Sequence, residues 1–168
     1  MAGEEALRRA KRPRTILAGP YGHPVHAIAV TLPIGAWTAS IIFDIVGFFS
    51  EEPEAFVRGA LWLVGIGIVG ALAAAVFGLM DLGTLNVGTR ARRTAVTHMG
   101  INLGAVILFA TGFFVRLNAE TGDASTAGFV LSLVAFALVG VSGFLGGEMV
   151  YRYGIRVADE ATQVKAFE

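Results

Sequence analysis

Residues 59–80 read GALWLVGIGIVGALAAAVFGLM, a run with no charged side chain. A helix rises about 1.5 Å per residue, so this stretch reaches across the roughly 30 Å hydrocarbon core of a bilayer. In lipid every backbone N–H and C=O must be satisfied within the protein, which leaves a helix as the reading for each such run. Working outward, residues 25–49, 98–115 and 124–147 are apolar stretches of the same kind. The connections between them, 50–58, 81–97 and 116–123, are short enough to force sequential antiparallel neighbours. The expected fold class is therefore all-α, a polytopic membrane protein with four transmembrane helices in an up-down-up-down bundle. A basic N-terminal segment (1–22) precedes the transmembrane domain (23–151), and a short tail (152–168) follows it.

Composition agrees. The chain has 168 residues, of which 55% are hydrophobic and 15% charged, with a mean hydropathy of +0.67; soluble domains carry about a quarter charged residues. The absence of cysteine excludes disulfides, iron–sulfur ligation and thiol catalysis. A net charge of zero gives no reason to expect a nucleic-acid partner, and the lipid bilayer is the expected one. The basic run Arg8, Arg9, Lys11, Arg12, Arg14 is followed by an apolar stretch too long for a signal peptide, without a small-residue cleavage site. It is expected to lie on anionic lipid headgroups. There is no phosphate-binding glycine loop, no nucleophile elbow and no H-E-x-x-H pair.

Charge placement orients the chain. Arg8, Arg9, Lys11, Arg12, Arg14, Arg90, Arg92, Arg93, Arg152, Arg156 and Lys165 fall on the side of the N-terminus, which is 11 of the 13 basic residues; Arg58 and Arg116 fall on the other. Such an asymmetry predicts that both termini are cytoplasmic, in a bacterial inner membrane. Small residues at spacing four, Gly70-Ala74-Gly78, Gly100-Gly104 and Gly143-Gly147, are candidate faces for close helix approach. Pro33 removes a backbone donor inside the first span and is expected to kink it. Trp62 suits an interface and Trp37 the packed middle of a span.

Ionisable residues at membrane depth are functional candidates by default. His23 and His26 open the first span, Asp81 closes the second, His98 opens the third and Glu148 closes the fourth. All three histidines and two carboxylates thus share one layer at the cytoplasmic helix ends. His23 and His26 lie on one helical face, and His98 and Asn102 form a polar edge that competes with Gly100/Gly104 for the bundle axis. Imidazoles and carboxylates together suit iron, zinc, copper or manganese, with His23, His26, Asp81, His98 and Glu148 as metal ligands. Alternatively, two imidazoles from different helices ligate a b-type haem, with His23, His26 and His98 as the cofactor-binding candidates. The plainer reading is that these groups face water or pair with Arg92, Arg93 or Arg152. Asp44, near the opposite face, is expected to pair with Arg116; a proton-relay role is the sharper alternative.

Gly22-His23-Pro24-Val25-His26, Leu32-Pro33-Ile34-Gly35, Phe77-Gly78-Leu79-Met80-Asp81, His98, and Gly146-Gly147-Glu148-Met149-Val150-Tyr151-Arg152-Tyr153-Gly154 together carry a resemblance. Over about residues 20–158 the chain resembles a bacterial four-helix membrane family of unknown function, whose pattern opens G-H-P-x-H-P and closes G-G-E-L-V-Y-R-x-G. Ala27 stands where the family usually has a second proline. Relatives fused to Rieske-type or cytochrome c domains imply an electron-transfer setting, with a membrane redox protein as partner. The expected function is a metal or haem protein of that setting; a cofactor-free structural or assembly subunit, with homo-oligomeric contacts through glycine-rich faces, is the alternative. A small transporter is disfavoured by the lack of broken helices and of polar lining at mid-membrane.

Overall fold

The computed structural model describes residues 2–13, 15–117 and 123–168; Arg14 and the middle of the third connection, 118–122, lie outside the described residues. The described elements are all helical. They are α1 (Ala2–Lys11), a 3-10 turn (Pro20–Gly22), α2 (Val25–Ala29), α3 (Thr31–Phe49), α4 (Glu54–Leu82), α5 (Arg90–Leu117), α6 (Thr126–Tyr151) and α7 (Glu160–Lys165). Four spans, Val25–Phe49, Glu54–Leu82, Arg90–Leu117 and Thr126–Tyr151, are long and apolar enough to cross a membrane.

The second and third helices exceed at both ends the apolar runs that betray them. The second begins at Glu54, right after Pro53, and the third at Arg90, because a helix continues past the apolar core until a turn or proline stops it. The first span is interrupted between α2 and α3, at Val30. Pro33 has no N–H to offer the carbonyl of Ala29, so the break sits one turn ahead of the proline. Two other ends are capped by side chains. The Ser125 side chain accepts from Gly128 N at the start of α6, and Arg92 donates to the carbonyls of Leu82 and Leu85 beyond the end of α4.

Packing pairs the spans as two hairpins, α3 with α4 and α5 with α6, with lighter contact between the pairs. Within the first hairpin the Gly70-Ala74-Gly78 face lies on the first span: a Cβ at Gly70 would meet Leu32 and Pro33, and one at Gly78 would meet His26. Gly67 admits the Trp37 ring, whose Nε1 donates to the Val64 carbonyl at 3.4 Å. The other two stripes behave differently. A Cβ at Gly100 or Gly143 would meet open space, and those at Gly104 and Gly147 only a distant contact. Gly100, Gly104, Gly143 and Gly147 are therefore not faces of close helix approach within the chain, and the His98–Asn102 edge takes the inward position.

The hairpins lie against each other through α4 with α5 and α3 with α6, and side chains of the first and third spans meet between them. Trp37 stacks on Phe109 with centroids 4.0 Å apart and planes 9° off parallel, at the centre of a core completed by Val64 and Ala135. Toward one end, Arg116 forms an ion pair with Asp44 and donates to Ser132 Oγ at 3.1 Å. The two charged side chains are 2% and 3% exposed. Gly112 and Gly128 leave the space that the guanidinium occupies. Asp44 thus has the expected arginine partner.

At the opposite end α1, the α4–α5 connection and the C-terminal tail gather into a cap. Ala10, Leu85 and Ile155 form its buried centre, Arg9 donates to the Thr84 carbonyl at 3.1 Å, and Arg156 N donates to the Ala10 carbonyl at 3.1 Å. Within the N-terminal segment, Ala2–Lys11 is thus a helix docked on protein along one face.

Removing one partner of a buried pair strands the other charge, which typically costs about 3–5 kcal/mol. Asp44→Ala and Arg116→Leu are each expected to lower the melting temperature in detergent sharply. Replacing both by apolar residues should recover most of that loss. Single substitutions that melt like the parent would show that the pair does not tie the hairpins together.

Candidate functional site

His26 sits on α2, one turn ahead of the break at Val30, and His98 lies in the third turn of α5. The two rings meet across the hairpins with centroids 6.4 Å apart and planes at 85°. Each is anchored on the next helix of its own hairpin. His26 Nδ1 lies 2.8 Å from the Ala74 carbonyl on α4, and His98 Nδ1 lies 2.8 Å from the Ser142 carbonyl on α6. A carbonyl only accepts, so each Nδ1 carries the proton and each Nε2 of a neutral ring carries the lone pair. That arrangement orients an imidazole ligand, the second nitrogen being tied to a main-chain oxygen.

The anchoring is repeated. Four residues after each acceptor stands a glycine against the ring: Gly78, where a Cβ would come within 3.0 Å of His26, and Gly146, where it would lie 3.6 Å from His98. The three pairs joining the first and third spans, His26–His98, Trp37–Phe109 and Asp44–Arg116, share one sequence offset of 72 residues. The steps of eleven and seven residues between layers are close to three and two helical turns, so all three fall on one face of each helix. The hairpins are thus related as approximate repeats of one imidazole-anchoring unit. Differing side chains at equivalent places (Trp against Phe, Asp against Arg) hide that from inspection of the sequence.

The rest of the layer is engaged elsewhere. Asp81, within electrostatic reach of His26, forms an ion pair with Arg156, Oδ1 to Nε 3.4 Å. Glu148 pairs with Arg152 at 3.4 Å and accepts from the Tyr153 hydroxyl at 3.0 Å. His23 is exposed and lines a cleft in the cap. The structure brings together His26 and His98, holds Asp81 and Glu148 with other partners, and leaves the His23 side chain at the cap cleft. Around His98, Asn102 Nδ2 donates to Nε2 at 3.1 Å and to Ser142 Oγ at 2.6 Å. Ser142 and the main chain of Ala74 have no chemical label in the sequence. The glycines four residues on were the available signal.

Four antiparallel apolar helices with a polar pair facing across two hairpins define an integral membrane protein of the helical-bundle class. Residues 22–159 match the family model described as predicted membrane protein (DUF2231), and the chain belongs to that family. No curated protein and no solved structure matches it.

A side chain at Gly78 displaces the His26 ring, so Gly78→Leu is expected to lower stability by about 1–3 kcal/mol. Gly143→Leu, where a Cβ meets open space, should melt like the parent. Equal behaviour of the two variants would show that the helix face against His26 is not closely packed.

Proposed function

We propose that this is a cofactor-binding membrane protein of an electron-transfer setting, in which His26 and His98 supply the two imidazole ligands of a b-type haem. The observation that carries the reading is the pair of Nδ1-anchored rings on different helices. The two ring centroids lie 6.4 Å apart, close enough for His26 and His98 to hold one metal-centred group between them. Two ligands suffice for a haem iron, whereas a non-haem iron, zinc or copper site needs more donors. Asp81 and Glu148 would have to leave Arg156 and Tyr153 to supply them.

When bound, the haem supplies one-electron chemistry. The chain's own part is to orient the rings through Ala74 and Ser142, to keep them among apolar helices, and to hold the site near the end of the bundle where a redox partner can approach. The basic asymmetry supports a cytoplasmic position for that end and for both termini, in a bacterial inner membrane.

One observation favours the second reading, a cofactor-free structural or assembly subunit. Asn102 already donates to His98 Nε2, so ligation requires this amide to turn away. In that reading the outward Gly100 and Gly143 faces serve partner helices or a second copy of the chain.

Purified in mild detergent, the protein is expected to show a Soret band that shifts on reduction. His26→Ala and His98→Ala should each abolish the band, and His23→Ala should keep it. Stoichiometric transition metal without a Soret band would replace the haem by a non-haem site. Neither haem nor metal after reconstitution would leave the structural subunit.

A further inference from the structure

The cap contains a cleft of about 690 Å3 between α1, the turn before α2 and the segment leading into α7. Arg8, Lys11, Arg12 and Arg156 line it together with His23, against two carboxylates, Asp159 and Glu160. Hydrogen bonds from Thr162 hold Asp159 below the usual carboxylate range, and Lys11 does the same for Glu160. Both acids are therefore ionised at neutral pH, and the lining still carries an excess of fixed positive charge.

Arg156 shapes the cleft. Its φ of 61° is left-handed, a conformation that a non-glycine residue holds only where its surroundings enforce it. Its side chain is 5% exposed. Nη2 donates to the carbonyls of Ala18 at 3.0 Å and His23 at 3.2 Å, while Nη1 has no hydrogen-bond partner among the described residues. A buried guanidinium with an unused nitrogen beside a cationic cleft suits an anion with several acceptor oxygens.

The neighbouring surface is greasy. The turn over 15–18, whose Ala18 carbonyl accepts from Arg156, exposes Ile16 and Leu17, at 82% and 74%, and Ile28 at the start of the first span is exposed as well. Charge in the cleft and apolar side chains on its shoulder, at the end of a transmembrane bundle, match an amphiphile with a phosphate head. Basic pockets at the ends of transmembrane helices bind such heads.

We propose that this cleft is a binding site for the phosphate headgroup of an anionic phospholipid, with the acyl chains lying along Ile16, Leu17 and Ile28. Lys11, tied to Glu160 at 2.9 Å, closes one wall, and Arg8 and Arg12 draw in the phosphate. The site is independent of His26 and His98.

The test is native mass spectrometry of the detergent-solubilised protein titrated with phosphatidylglycerol, with phosphatidylcholine as the zwitterionic comparison. The parent should retain phosphatidylglycerol in preference. The exposed pair Arg8→Gln/Arg12→Gln should weaken it roughly twenty-five-fold, about five-fold per charge. Arg90→Gln/Arg93→Gln, which removes two charges at the same end outside the cleft, should leave it unchanged. Equal loss in both double variants would mean diffuse attraction and overturn the proposal, as would equal retention of the two lipids. Glycerol 3-phosphate binding as tightly as phosphatidylglycerol, with Ile16→Ser/Leu17→Ser affecting neither, would make the cleft a soluble-phosphate site and overturn the lipid assignment.

Discussion

Taking a carboxylate and a guanidinium into a membrane interior is unfavourable for each alone, and Asp44 and Arg116 are tolerable there only together. Their pairing joins the first span to the third, which belong to different hairpins. Apolar packing provides little discrimination between helix registers in lipid, since the tails are as apolar as leucine. The ion pair provides it. With Asp44 opposite Arg116, the register brings Trp37 onto Phe109 and His26 opposite His98, each at the same offset of 72 residues.

Ser132, which accepts from Arg116, extends the tie to the fourth span, and Trp37 Nε1 reaches the second through Val64. The stacked Trp37 and Phe109 rings divide the bundle into two polar layers. One holds the charged pair, Asp44 and Arg116; the other holds the imidazoles of His26 and His98. The imidazole layer at one end therefore rests on a structural pair at the other.

The four spans and their alternation were legible because lipid imposes one rule, an unbroken apolar run with internal hydrogen bonds. The interruption in the first span was legible too, through Pro33. Boundaries at Glu54 and Arg90 were not, since polar turns extend a helix without changing its apolar signature. The shared layer of three histidines and two carboxylates was visible as depth, but depth does not fix direction. Arg156, 75 residues from Asp81 in sequence yet adjacent in space, takes that acid; Tyr153 and Arg152 take Glu148. The approximate repeat is not legible in residue types because it is written in spacing and hydrogen-bond acceptors, with main-chain carbonyls of Ala74 and Ser142 as its key atoms.

What remains distinctive is a pair of imidazoles held by their Nδ1 atoms and facing each other across two hairpins. Nitrogen-15 NMR of the histidine side chains, recorded above the imidazole titration range, reads that arrangement directly. With three histidines in the chain, exposed His23 gives an internal reference. The account predicts that His26 and His98 are both Nδ1-protonated, with a bare Nε2 that accepts a hydrogen bond from Asn102 in His98. An Nε2-protonated tautomer at either ring would place the lone pair against a carbonyl and contradict it.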